Sequence, residues 1–109
     1  MAQFDVHRNT GKNRDAIPFV VVVQSALFDD YRRRVVVPLV RKSALSGLGR
    51  VSHATFNPTF RIAGTQLVLH PLEIVSVPVE SLGEQVDSLA REGGKIIEAL
   101  DQMLTRSWG

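Results

Sequence analysis

Apolar and polar positions do not keep one rhythm along this chain. Gln3-Phe4-Asp5-Val6-His7 alternates polar and apolar residues, the period-two signature of a half-buried strand. The polar stretch RNTGKNRDAIP, residues 8–18, carries Gly11 and Asn13 and reads as a hairpin loop. Ile17 to Ser25 (IPFVVVVQS) is β-branched and almost wholly apolar, which suits a strand covered on both faces. Ser25 to Asp30 closes it with a turn, and Arg33 to Val40 (RRVVVPLV) predicts a third strand. Pro38 in that run has no N–H to give a ladder, so its expected place is an edge or a bulge. Residues 43–50 are small and glycine-broken and predict one helical turn at most. Weaker strand signals run from Val51 to Ile62, interrupted by Asn57-Pro58. Gly64 fits a turn, Thr65 to Leu69 restarts a strand, and Glu73 to Val79 (EIVSVPV) is the last one expected.

The period then changes. Leu82, Val86 and Leu89 are spaced by four and three, Gly93-Gly94 interrupts, and Ile96, Ile97, Leu100, Met103 and Leu104 resume a helical stripe. Each glycine costs a helix interior roughly 1 kcal/mol relative to alanine. A turn or short helix is therefore expected before Gly93, and the main helix from about Gly94 to Ser107. Many strands followed by one helix predict a mainly β fold, an antiparallel sheet or small barrel with a C-terminal helix packed on it.

Composition narrows the classes. At 109 residues the chain is expected to form a single domain, residues 1–109, and so small a domain gains from dimerisation. The formal net charge of +2 is too small to suggest nucleic-acid binding by the chain itself. There is no cysteine, hence no disulfide and no thiolate metal site. The opening MAQFDVHRNTGK has no apolar signal-peptide core, and no apolar run is long enough for a helical membrane span. A cytoplasmic protein without membrane contact is the expectation.

The search for chemistry returns little. His7, His53 and His70 are far apart in sequence and form no ligand spacing; ordinary surface or hydrogen-bonding roles are expected for each. No nucleophile elbow, zinc-protease or phosphate-loop motif occurs, so neither catalytic residues, metal nor cofactor are assigned. Tyr31-Arg32-Arg33-Arg34 is the densest basic cluster, extended weakly by Arg41-Lys42. It is either a solvated strand entry or a docking point for an acidic partner segment. Trp108, the only tryptophan, stands one residue before the last, where chain ends usually fray. It either folds back onto the helix or offers a flat apolar face and one N–H donor to a partner.

Several of these stretches, taken in order, resemble one family. QSALFDDYRRRVVVPL, residues 24–39, is similar to the segment of CcdB plasmid-addiction toxins in which Gln-Ser, an apolar turn and paired arginines precede a strand ending in Pro-Leu. Gln3-Phe4-x-Val6, Ser76-Val77-Pro78-Val79, Leu82-Gly83-Glu84, Val86 and the final Trp108-Gly109 match in order; residues 43–61 match least. The resemblance implies an SH3-like barrel with a C-terminal helix, shared with MazF and Kid endoribonuclease toxins, assembled as a homodimer. It implies a protein that is not an enzyme but an inhibitor of one, binding the GyrA component of DNA gyrase and trapping the cleaved gyrase complex with DNA. It further implies a CcdA-like acidic antitoxin that releases gyrase, and operator DNA bound only through the toxin–antitoxin complex, which represses its own transcription.

Residue by residue, the resemblance places Trp108 and Gly109 at the gyrase contact, with Leu27 and Phe28 nearby. Met103 and Leu104 fall at the dimer seam and antitoxin surface, and Arg33 and Arg34 where a charged partner could meet them. Two departures stand out. The family's chain typically ends Trp-Gly-Ile, and this one stops at Gly109; the tryptophan also falls about three residues late. Three helical positions rotate a side chain to about 60° short of a full turn and advance it by about 4.5 Å. The rival expectations are an endoribonuclease on the same barrel, for which Arg14, Asp15, His53 and Arg61 could be enlisted, and a barrel that only binds its cognate partner.

Overall fold

The structure, a computed structural model, describes residues 2–47 and 55–105. Among these, strands β1 (Asp5–Arg8), β2 (Phe19–Val22), β3 (Arg33–Arg41), β4 (Thr59–Ile62), β5 (Thr65–Leu69), β6 (Val75–Pro78) and β7 (Gln85–Ser88) precede the helix α1 (Gly93–Leu104). They form one antiparallel sheet in the order β4-β5-β3-β2-β1-β7, with β6 joined to β3 beside β5. The expected mainly β architecture is thus present as a half-barrel with a C-terminal helix.

β3 is the spine. Its nine residues pair with β2 on one side, and on the other with β6 through Arg33–Val36 and with β5 through Leu39–Arg41. Pro38 therefore lies mid-sheet, not at an edge or bulge as expected. Backbone alternation explains how. Val35 O accepts from Val23 N just past β2, so Arg34, Val36 and Pro38 turn their backbone groups the other way, and Pro38 O accepts from His70 N. The proline nitrogen thus faces the junction where β6 has ended and β5 begins, where the missing N–H breaks no ladder.

The alternation that splits the backbone also splits the core. Val21, Val37, Leu39, Leu67, Leu69, Phe60 and Ile62 point to one face and meet Ile96 and Ala99 of α1. Val20, Val22 and Val36 point to the other, beneath Val77 and Leu82. β2 is buried on both faces, as its unbroken apolar run predicts. At Gly93 the helix meets Phe4; a Cβ there would overlap the ring carbon Cε2, so only glycine fits.

The stretch Gln85–Ser88 departs from its helical spacing. It pairs with β1 across a register irregularity between Val6 and His7, and Val86 packs against the main core. The four-and-three spacing of Leu82, Val86 and Leu89 arises because Leu82 covers the second cluster while Val86 and Leu89 reach the first. The short helix expected before Gly93 is a single 3-10 turn, Ala90–Glu92. The Val51 end of the weak strand signal and the Ser107 end of the helix lie outside the described residues.

Candidate functional site

After β2 the chain must reverse to enter β3, and the residues between do so in a fixed shape. Ser25 caps a 3-10 turn, Ala26–Phe28, its Oγ accepting from Leu27 N at 3.2 Å. Phe28 N, Asp29 N and Tyr31 N donate to Ser25 O, Ala26 O and Phe28 O at 3.0–3.1 Å. Gln24 braces the base: its Nε2 donates to Phe28 O and Arg33 O, and its Oε1 accepts from Val35 N at 2.8 Å.

Arg34 completes the brace. Its Nη1 donates to Tyr31 O at 2.5 Å and Arg33 O at 2.9 Å, and its Nη2 to Asp29 O at 2.8 Å. Only 5% of the residue is exposed. The resemblance placed Arg34 at a partner surface, in a cluster that reads either as a solvated strand entry or as a docking point; Arg34 instead lies beneath the turn, spending its planar fork on three carbonyls. Arg33 stays exposed, its guanidinium donating to Ser76 Oγ at 2.8 Å and Ser76 O at 2.7 Å.

What this scaffold displays is apolar. Leu27 is 85% exposed, Tyr31 65% and Phe28 47%. The two rings meet edge to face at 5.7 Å and, with Gln24, Arg33 and Val35, line a shallow cleft of about 350 Å3. The cleft thus unites two of the expected site residues, Phe28 and Arg33. Met103 and Leu104 do not line it; they lie in the last turn of α1, Met103 half-buried and Leu104 exposed. Ile97, exposed two turns earlier, shares a helix face with Leu104. Trp108 and Gly109 lie outside the described residues.

A larger recess sits on the opposite face of the sheet. The β1–β2 loop and the segment from β6 to Leu82 enclose a groove of about 450 Å3 over Val20, Val36 and Pro38. Sequence reasoning missed it, because its walls come from segments about seventy residues apart. Thr10 Oγ1 donating to Ser81 O at 2.7 Å, Gly83 N to Arg8 O at 3.2 Å, and Arg8 with Glu84 at 2.7 Å tie those walls together.

The residues considered for acid–base chemistry are dispersed. His7 is buried beneath Gly83, with Nδ1 2.9 Å from its carbonyl oxygen. His70 follows β5 and caps the next 3-10 turn, Pro71–Glu73. Arg14 and Asp15 are exposed on the β1–β2 loop, Arg61 is exposed on β4, and His53 lies outside the described residues. Among the described residues no three metal-ligating side chains converge, and no helix is long and apolar enough to cross a membrane.

The family model described as CcdB protein matches residues 3–106. The chain belongs to the CcdB family. That membership makes it a relative of the toxins of toxin–antitoxin systems, and its half-barrel sheet with a C-terminal helix is consistent with the SH3-like barrel the resemblance implied. Among solved structures it is similar to one described as an endoribonuclease in complex with its cognate antitoxin from Mycobacterial species, with a TM-score of 0.71 at 16% identity. The match covers 100% of this chain and 99% of that one, and at this identity it speaks for the shared CcdB-like fold alone.

Proposed function

We propose that this chain is the toxin of a toxin–antitoxin pair, that it acts as a homodimer by binding the GyrA component of DNA gyrase, and that it traps the enzyme's cleaved complex with DNA. A CcdA-like acidic antitoxin removes it from gyrase, and the two together bind operator DNA and repress their own transcription. On this reading the protein is an inhibitor of an enzyme and carries no catalytic residues of its own. Leu27 and Phe28 contact gyrase beside Trp108 and Gly109. Met103 and Leu104 lie at the dimer seam, and Arg33 meets the acidic partner.

The observation that carries the reading is Leu27, 85% exposed at the tip of a turn held by Ser25, Gln24 and Arg34. A free apolar side chain on a rigid support loses little freedom when a partner buries it, which favours binding over mere tolerance of exposure. Family membership over residues 3–106 supports the class of partner.

Purified protein incubated with gyrase, plasmid and ATP tests it. Linear DNA should accumulate after detergent and protease treatment, and truncation before Trp108 should abolish it. RNA degradation by the protein alone, with no effect on gyrase, would establish the endoribonuclease rival instead.

A further inference from the structure

The cleft beside the β2–β3 turn joins two aromatic rings to an unneutralised cation. Phe28 and Tyr31 stand with their ring planes at 70°, Val35 adds an aliphatic surface, and Gln24, Ser25, Arg33 and Ser76 supply the polar lining. We propose that this cleft binds a small aryl carboxylate, its ring against Phe28, Tyr31 and Val35 and its carboxylate on Arg33.

Charge argues for an anion. Among the lining residues Arg33 carries the only formal charge. No carboxylate pairs with it among the described residues, and Asp29 and Asp30, though close in sequence, do not line the cleft. The guanidinium is nonetheless held in place, with Nε donating to Ser76 Oγ and Nη2 to Ser76 O. Nη1 keeps its protons to give, on a planar fork whose orientation is already fixed. Such a group loses little freedom when it binds.

The other polar groups point to an acceptor as well. The acceptors around the cleft are already engaged: Gln24 Oε1 by Val35 N, Ser76 O by Arg33 and Phe28 O by Gln24. The Tyr31 hydroxyl has no partner among the described residues, and Ser25 Oγ, which accepts from Leu27 N, keeps its own proton. A carboxylate only accepts and so matches what is left; an ammonium group only donates and meets a like charge. The volume of about 350 Å3 lies near the lower end of the roughly 300–1,000 Å3 range of ligand clefts, enough for one ring and a short acid-bearing arm. Two rings at so steep an angle offer a third ring one face and one edge, an arrangement aromatic groups favour, and leave no parallel slot for a nucleobase.

Phe28 is also a proposed gyrase contact, so an occupied cleft should oppose gyrase binding. That consequence rests on the gyrase reading, whereas binding of the acid does not.

NMR titration of the isotope-labelled protein with hydrocinnamate, its primary amide and the corresponding amine tests the site. Hydrocinnamate should shift the Phe28, Tyr31 and Ser76 amides and bind roughly tenfold more tightly than the amide, and the amine should not bind. Arg33→Gln should erase the preference for the acid, and Arg33→Lys should keep part of it. Tyr31→Ala should weaken acid and amide alike by roughly tenfold. Both positions are exposed, and thermal melts check that the variants fold. Equal affinity for acid and amide, an acid preference that survives Arg33→Gln, or shifts confined to residues away from the turn would overturn the proposal. Saturating hydrocinnamate should also raise the protein concentration needed to trap gyrase. Binding at the turn without that rise would uphold the ligand site and remove Phe28 from the gyrase contact; gyrase trapping by a protein that binds no hydrocinnamate would overturn the ligand site alone.

Discussion

Replacing Arg34 with methionine isolates what the buried guanidinium does. Methionine keeps much of the side chain's length and apolar volume but offers no donor to Tyr31 O, Arg33 O or Asp29 O, which now receive bonds of 2.5, 2.9 and 2.8 Å. Hydrogen bonds to a charged group contribute about 1.5–3 kcal/mol each. Against their sum stands the cost of keeping a guanidinium at 5% exposure, several kcal/mol. The carbonyls also belong to a surface turn and can recover water. The balance is a loss of about 2–4 kcal/mol. At about 4 °C per kcal/mol for a domain of this size, the melting midpoint should fall by about 8–16 °C. Arg34→Lys restores a single point donor in place of a planar fork and should recover at most about half of that loss. Thermal unfolding followed by circular dichroism gives the midpoint, and hydrogen exchange at the Tyr31 amide, bonded to Phe28 O, reports on the turn itself. A fall of less than about 2 °C with unchanged exchange at Tyr31 would mean that Arg34 does not hold the turn together.

Leu27→Asp should change stability by less than about 0.5 kcal/mol, since the residue is 85% exposed. It should weaken gyrase binding by about 2 kcal/mol, roughly thirtyfold, measurable by surface plasmon resonance. Gly93→Ala forces a methyl into the Phe4 ring and should cost about 1–3 kcal/mol in urea denaturation, a loss that Phe4→Leu partly relieves. Leu39→Ala empties a fully buried position in the spine strand and should cost about 2–5 kcal/mol by the same measurement.

Where one physical cause governed a stretch, the sequence was legible. The β-branched run of β2 needs cover on both sides and receives it, and the stripe from Ile96 to Leu104 forms the helix. Ala63 and Gly64 turn with φ of 52° and 77°, as a tight reversal between β4 and β5 requires. The misreadings share a different cause. Leu82, Val86 and Leu89 serve two separate clusters from a turn, a short strand and the residue after it, so their spacing only mimics a helical stripe. Pro38 is tolerated because partner strands change beside it, a fact of topology rather than of local sequence. Arg34 looked like surface charge because the carbonyls its Nη1 and Nη2 donate to converge only after the turn has formed. Of the candidate site, the apolar turn was legible as a pattern. The groove was not, because Arg8 and Ser81 become neighbours only in the folded sheet.

β3 hydrogen-bonds to β2, β5 and β6 at once, and so it joins the two wings of the molecule. Neither wing has a complete ladder until that strand is in place. No half of this sheet should therefore survive as a stable fragment, and unfolding should be all-or-none. Sequence drift should be confined to the rims, the turn that shows Leu27 and the loop that roofs the groove. Those rims can change their partners while the keystone strand between them stays as it is.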